Sequence, residues 1–332
     1  MGNILCGTLI ALLGGCTSTS VTEKYQDKRN DIINVKDKVI EFETGNVLIG
    51  SVSRLYMSNK CLLIADHKSV DKQIHIFNKN DFSYLTSIGN FGEGPEEITV
   101  MGCLAIDEAH HQLYVSDHAK QKIFSYDMDS VMVDSLYKPQ VKTAMNETLF
   151  PSEYQYINDT LSIAVLIKPT STSTFNQFLG RWNMNTGEMI PMKYTHPDIQ
   201  KKRITFAASE KAGIYVECYT RHDLMTICSL DGELLYNIYG PDWDGGNGNK
   251  LQSFGTVMIG NDKIFVSYCG EDYARDSFPT KILVFDLEGN YLKTLETGYK
   301  ISDCCYDSFN NRIILSLNDV VQFAYLDIDG II

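Results

Sequence analysis

Residues Ser87–Ile98 read SIGNFGEGPEEI. An apolar, strand-like run, Phe82–Ile88, breaks here into three glycines and a proline, and strand-like sequence resumes past Ile98. Pro95 fixes its own φ and drives Gly94 out of the helical region, while Gly89 is free to take a positive φ. The segment is a shaped loop between two strands.

Outward from that loop, one signature recurs. Short runs of apolar and β-branched residues end in polar turns at Leu62–Ala65, Leu113–Ser116, Leu161–Ala164, Ile214–Glu217, Ile264–Ser267 and Ile313–Ser316. They repeat about every fifty residues, the period of propeller blades. Each is followed by a second strand and a turn, as at Ile282–Phe285 with Asp286–Gly289, which is hairpin chemistry. Outer strands are expected at Tyr84–Ile88, Val131–Leu136, Leu234–Tyr239 and Tyr291–Leu295. With an inner strand before each signature, every copy has four antiparallel strands.

The last copy stops at Asp329-Gly330 and lacks an outer strand, whereas Val39–Glu43, VIEFE, alternates like a half-buried strand before the first inner strand near Val52–Met57. It is expected to complete the sixth blade and close the ring, which removes an exposed edge. No window supports a helix. The fold class is all-β, a six-bladed β-propeller formed by residues 38–332.

The loop pattern G-x-x-G-x-G-P-x-E of Gly89–Glu97, followed by Ile98, resembles the loop joining the first two blades in a bacterial family of six-bladed propeller lipoproteins, akin to NHL and TolB-like propellers. Ser116-Asp117-His118 followed by AKQKIFSYD is similar to an NHL repeat. The resemblance implies a fold more directly than a function. Related propellers include lactonases and esterases that hold calcium with inner-strand carboxylate and Asn ligands.

At the N-terminus, Ile4–Leu13 has signal-peptide length and is too short to span a bilayer. Leu13-Gly14-Gly15-Cys16 looks like a lipobox, so residues 1–15 are expected to be a lipoprotein signal peptide and Cys16 the lipid-bearing residue. Met1–Asn3 departs from the pattern in carrying no Lys or Arg. Residues 16–37 are polar and are expected to form a flexible tether. This implies a protein lipid-anchored in a bacterial envelope, with the outer membrane favoured over the inner.

The chain of 332 residues carries Lys+Arg 29 against Asp+Glu 42, a net charge of −13, which argues against nucleic acid as a partner. Of nine cysteines, Cys6 lies in the leader and Cys16 is the expected lipid-bearing residue, and the odd remainder with no C-x-x-C spacing argues against a disulfide framework or a zinc site. These cysteines sit in apolar runs and read as small buried hydrophobes.

Second-to-third-strand loops and blade-to-blade loops share one face, where a channel mouth offers a binding site. Asp66-His67 and Asp117-His118 fall there, as residue types that bind metal or move protons, although such Asp residues also close turns. Arg221 and His222 lie on another of these loops, and Glu271, Asp272, Tyr273 and Arg275 on the longest. Arg54 and Glu153 stand near the starts of inner strands. Asp242 and Asp244, with Asn247 and Asn249, are weak calcium candidates, because the EF-hand pattern fails at Gly246 and lacks its Glu. Trp243 either packs or offers a stacking surface for a sugar.

There is no G-x-S-x-G, H-E-x-x-H or P-loop pattern. Two functions are weighed. One is a non-enzymatic, membrane-anchored propeller that binds a protein, peptide or carbohydrate partner through its loop-rich face, with no cofactor. The other is a calcium-dependent hydrolase, lactonase-like, or a lyase.

Overall fold

The computed structural model describes residues 22–134, 136–199, 202–246 and 250–332. Three short strands lead: β1 (Glu23–Tyr25), β2 (Ile32–Asn34) and β3 (Val39–Glu41). Blade 1 is β4 (Ser53–Met57), β5 (Cys61–Asp66), β6 (Lys72–Asn78) and β7 (Tyr84–Asn90). Blade 2 is β8 (Met101–Asp107), β9 (Gln112–Asp117), β10 (Lys122–Asp127) and β11 (Gln140–Ala144). Blade 3 is β12 (Phe150–Asn158), β13 (Leu161–Pro169), β14 (Phe175–Trp182) and β15 (Met189–Pro191). Blade 4 is β16 (Ile204–Ser209), β17 (Ile214–Tyr219), β18 (Leu224–Ser229) and β19 (Leu234–Tyr239). Blade 5 is β20 (Leu251–Ile259), β21 (Lys263–Asp272), β22 (Lys281–Asp286) and β23 (Tyr291–Glu296). Blade 6 is β24 (Ile301–Asp307), β25 (Arg312–Leu317), β26 (Phe323–Asp327) and, from the N-terminal side, β3. The expected closure is present: Ala324, Tyr325 and Leu326 pair antiparallel with Glu41, Ile40 and Val39.

The signature strands are legible because both faces of a blade pack against neighbouring blades. In β5 every residue is buried. Leu62 and Ile64 point into the cluster shared with Ile314 and Phe323 of blade 6, while Leu63 and Ala65 point into the cluster shared with Leu113 and Val115 of blade 2. Side-chain alternation across a strand therefore serves two cores and reads as a continuous apolar run. The adjacent Cys304 and Cys305 obey the same rule, facing blades 5 and 1 respectively. All seven described cysteines are free and buried.

The ring is also closed by charge. The Asp307 carboxylate accepts from Lys79 Nζ at 2.9 Å and Arg312 Nε at 3.3 Å, all three side chains being nearly fully buried between blades 6 and 1. Phe42 stacks on Phe82 at 3.9 Å beside them.

Two expectations need correction. Val131–Leu136 is not an outer strand, because Met128–Val133 form a short helix, α1. Asp127 caps it by accepting from the Ser130 N–H at 2.7 Å, and the outer strand falls at β11, whose polar sequence carries no core pattern. The segment 16–37 is not a free tether over its described part: β1 pairs in parallel with β19, and β2 with β23, adding a fifth strand to blades 4 and 5. Between them Arg29 is buried and meets Asp223 at 2.8 Å. Such edge strands are held by backbone hydrogen bonds, so a polar sequence suffices. The signal peptide and Cys16 lie outside the described residues.

Candidate functional site

The loop Ser87–Ile98 shows how the loop-rich face is built. Glu97 Oε2 accepts from the Gly94 N–H at 2.8 Å, and a Cβ on Gly92 would lie 2.0 Å from that same oxygen, so the motif's glycines make room for its Glu. Lys120 Nζ donates to the carbonyls of Gly94 and Glu97 at 2.5 and 2.6 Å. The motif braces the β9–β10 loop.

The six inner strands enclose a channel of about 1170 Å³ that opens on this face. Side-chain hydrogen bonds join successive blades around it. His67 Nδ1 meets the Met101 carbonyl at 3.2 Å, and Cys103 Sγ meets the Tyr154 carbonyl at 3.3 Å. Gln155 Oε1 accepts from the Ala208 N–H at 2.5 Å, and Thr205 Oγ1 donates to the Gly255 carbonyl at 2.6 Å. Thr256 Oγ1 donates to Asp303 Oδ1 at 2.7 Å, while Asp303 Oδ2 accepts from the Leu55 N–H at 2.8 Å. Register shifts interrupt β8, β12, β20 and β24 near the mouth, as bulges do where side chains must be re-aimed.

One niche stands out on this wall. Arg54 of blade 1 reaches Glu153 of blade 3 at 2.8 Å, passing over blade 2. Blade 2 carries Gly102 on its inner strand, where a Cβ would lie 2.3 Å from His118 Nε2 and 2.5 Å from Ser116 Oγ. The glycine thus lets His118 fold over the inner strand. His67 and His118 both line the channel, and the Nε2 atom of each is buried without a protein hydrogen-bond partner. Burial, and then the Arg54 cation, lower the His67 pKa, with the Met101 carbonyl and Asp66 opposing. Burial likewise lowers that of His118 against Asp117 and Glu153. Both rings are therefore neutral at pH 7, and the His67 Nδ1–H bond to Met101 leaves its Nε2 as an acceptor. Asp303 lies deep in the molecule yet touches the channel; burial raises its pKa against the pull of Arg54, the Leu55 N–H and Thr256.

The remaining candidates separate. Asp66 accepts from the N–H groups of Gly50 and Lys68, and Asp117 from those of Thr99, Val100, Ala119 and Lys120, so both close turns. Asp272 caps a short 3-10 turn through the Ala274 N–H. Arg275 pairs with Glu271 in solvent at 2.7 Å, away from the niche. Arg221 stacks on Tyr273 with its guanidinium 3.0 Å from the ring centre, joining the loops of blades 4 and 5. His222 is buried beside Trp243 and lies 3.5 Å from Asp244. Asp244 also accepts from the Gly246 N–H, and Asp242 from the Tyr268 hydroxyl, so the two carboxylates face different partners. Asn247 and Asn249 lie outside the described residues. Trp243 packs on Tyr239 and His196.

Sequence reasoning missed Asp303, Gly102 and an apolar rim. Asp303 pairs with Ser316 at the end of its signature strand as Arg54 pairs with Ala65, but the hairpin after Asp307 is longer than the one after Met57 and changes its spacing from the signature. The rim consists of exposed side chains on the mouth loops: Val320 (99% exposed), Leu48 (94%), Val70 (81%), and also Val52, Phe91, Val100, Phe175, Tyr273 and Phe278. They come from separate segments of the chain, so the rim is visible only once the loops are assembled.

The DUF5128 family, described as a 6-bladed β-propeller, matches residues 17–176, which take in blades 1 and 2, the first two strands of blade 3 and the start of its third. No curated protein matches the sequence. Among solved structures, the chain is similar to a member of the DUF4221 family from Bacteroides vulgatus, with a TM-score of 0.60 and 10% identity over 90% of this chain and 98% of that one. It is similar to a candidate exported protein from Bacteroides fragilis, with a TM-score of 0.57 and 14% identity over 89% and 87%. The β-propeller domain of Cps50 (Swd1) from Myceliophteria thermophila gives 0.52 and 9% over 85% and 98%. Among the described residues no helix is long and apolar enough to cross a membrane. The family's description agrees with the blades counted above: the fold is a six-bladed β-propeller.

Proposed function

We propose that the protein is an envelope lipoprotein of NHL/TolB-like kind, anchored through Cys16 in the outer membrane, that binds a polypeptide partner across its mouth face and carries out no reaction. The observation that carries this reading is the concentration of nine exposed large apolar side chains on the loops surrounding a polar niche. Exposed apolar groups ringed with polar ones mark interaction surfaces, and Arg–aromatic pairs such as Arg221–Tyr273 are typical anchors. Branched aliphatic groups such as Val70, Val320 and Leu48 suit the apolar side chains of a polypeptide. In the niche, the Nε2 acceptor of His67 and the Arg54–Glu153 pair would read an N–H or O–H group of the partner.

The calcium-dependent hydrolase reading needs free carboxylates on several inner strands. Glu153 and Asp303 stand there, but the Arg54 cation interacts with both and opposes a divalent ion. A chelator should leave the melting temperature unchanged; a rise on adding calcium with stoichiometric binding would favour the enzyme instead.

The binding reading is tested with a photo-cross-linking side chain placed in the anchored full chain. From position 70 or 320 it should give one discrete adduct, and from Phe309, which is 79% exposed on the opposite face, none. Equal adducts from both faces, or none from the mouth, would overturn the assignment. Cys16→Ser should release the protein from the membrane fraction.

A further inference from the structure

A second cavity, of about 510 Å³, opens on the face opposite the mouth, between blades 1 and 2. We infer that it is a binding site for a small, uncharged apolar molecule, separate from the mouth. Its floor is Leu63 and Leu113, both fully buried, and its walls include Ile106, Leu85 and the helical Met128 and Met132. A cavity of this volume lies in the range of small-molecule sites.

The helix that forms one wall is surplus to the repeat. Third and fourth strands are joined by residues 79–83, 183–188, 230–233 and 287–290 in blades 1, 3, 4 and 5, whereas blade 2 uses residues 128–139. Blade 2 pairs its four strands as the others do, so the extra residues are not needed for the sheet. They fold as α1, capped by Asp127 and pinned by the buried Val131, and hold two thioethers over the cavity. Methionine adapts its shape to apolar ligands.

The rim's acidic groups and Gln112 already have partners within the protein. Asp107 accepts from His110 Nδ1 at 2.8 Å and the Tyr114 hydroxyl at 3.2 Å, and Asp129 pairs with His111 at 2.7 Å. Glu108 Oε1 accepts from the Asn59 N–H at 2.7 Å, and Gln112 bridges Asp127 and Ser125. Lys60 is exposed at the open edge, and no ion pair engages it among the described residues. What the enclosed part offers is apolar surface, and a ligand that needs no buried hydrogen bond fits it.

The test is a titration of N-phenyl-1-naphthylamine, a neutral dye that brightens in apolar surroundings, against the full chain carrying Cys16→Ser to prevent lipid attachment. Saturable one-to-one binding is expected. Met132→Glu and Leu85→Glu each place a carboxylate in the wall and should weaken binding at least about tenfold. Both residues are partly exposed, so the melting temperature should hold. Arg54→Ala, on the opposite face, should leave the affinity unchanged. Absence of saturable brightening, unchanged affinity in both Glu variants, or loss in Arg54→Ala would overturn the inference.

Discussion

Strand β24 carries a carboxylate at each end of the ring, and the two have opposite environments. Asp307, on the closed face, is engaged by Lys79, Arg312 and Asn310. Burial alone would raise its pKa, but the Asn310 and Lys79 hydrogen bonds outweigh it and hold the carboxyl below the usual range. Asp303, four residues earlier, has two neutral hydrogen-bond donors and a shared cation, and burial prevails, so its pKa is raised. The closed face is where the ring is fastened. The mouth carries polar groups that are less fully compensated and apolar groups left exposed, the features expected of a surface kept for a partner.

The largest effect should come from the fastening. Asp307→Ala leaves the Lys79 and Arg312 cations buried without a counter-charge and should cost about 3–5 kcal/mol in urea unfolding. If it costs no more than Asp303→Asn, the contrast between the two faces fails. Next, Val70→Glu with Val320→Glu should remove about 2 kcal/mol or more of partner binding, read as lost cross-linking, with stability changed by at most about 0.5 kcal/mol. Arg54→Ala should leave stability within about 1 kcal/mol, since its ion pair with Glu153 is half-exposed.

The pH dependence gives the smallest and most diagnostic signal. Asp307 has a depressed folded pKa, so its contribution is present above the unfolded value and is lost as pH falls through the folded one. Asp303 has a raised folded pKa, so its contribution is present below the unfolded value and is lost as pH rises through the folded one. Stability profiles should therefore show wild type gaining on Asp307→Asn, and losing its margin over Asp303→Asn, as acid is neutralised. Parallel profiles would place both carboxylates in the same environment.

How much of this was legible follows from what each residue contacts. Second strands such as Leu62–Ala65 announce themselves because two cores need them, and VIEFE because Val39 and Phe42 each pack on a core beside blade 6. Edge strands do not: Gln140–Ala144 and Glu23–Tyr25 are held by backbone bonds, and the apolar Val131–Leu136 misleads because Asp127 caps a helix before it. In the site, Arg54 and Glu153 were visible from their places near the starts of inner strands, and His67 and His118 from their paired Asp-His loops. Asp66 and Asp117 in those same loops close turns instead. Asp303 was hidden by the longer hairpin between it and its signature strand, and the stacking of Arg221 on Tyr273 by its dependence on two loops of different blades.

The most direct measurement is the cross-linking yield from position 70 in the Arg54→Ala background, in the anchored full chain. If niche and rim act as one recognition surface, the mouth-face adduct should fall at least about tenfold while the melting temperature stays within a few degrees. An undiminished adduct would mean that the rim binds without the niche, and the account of the channel mouth as the recognition centre would be wrong.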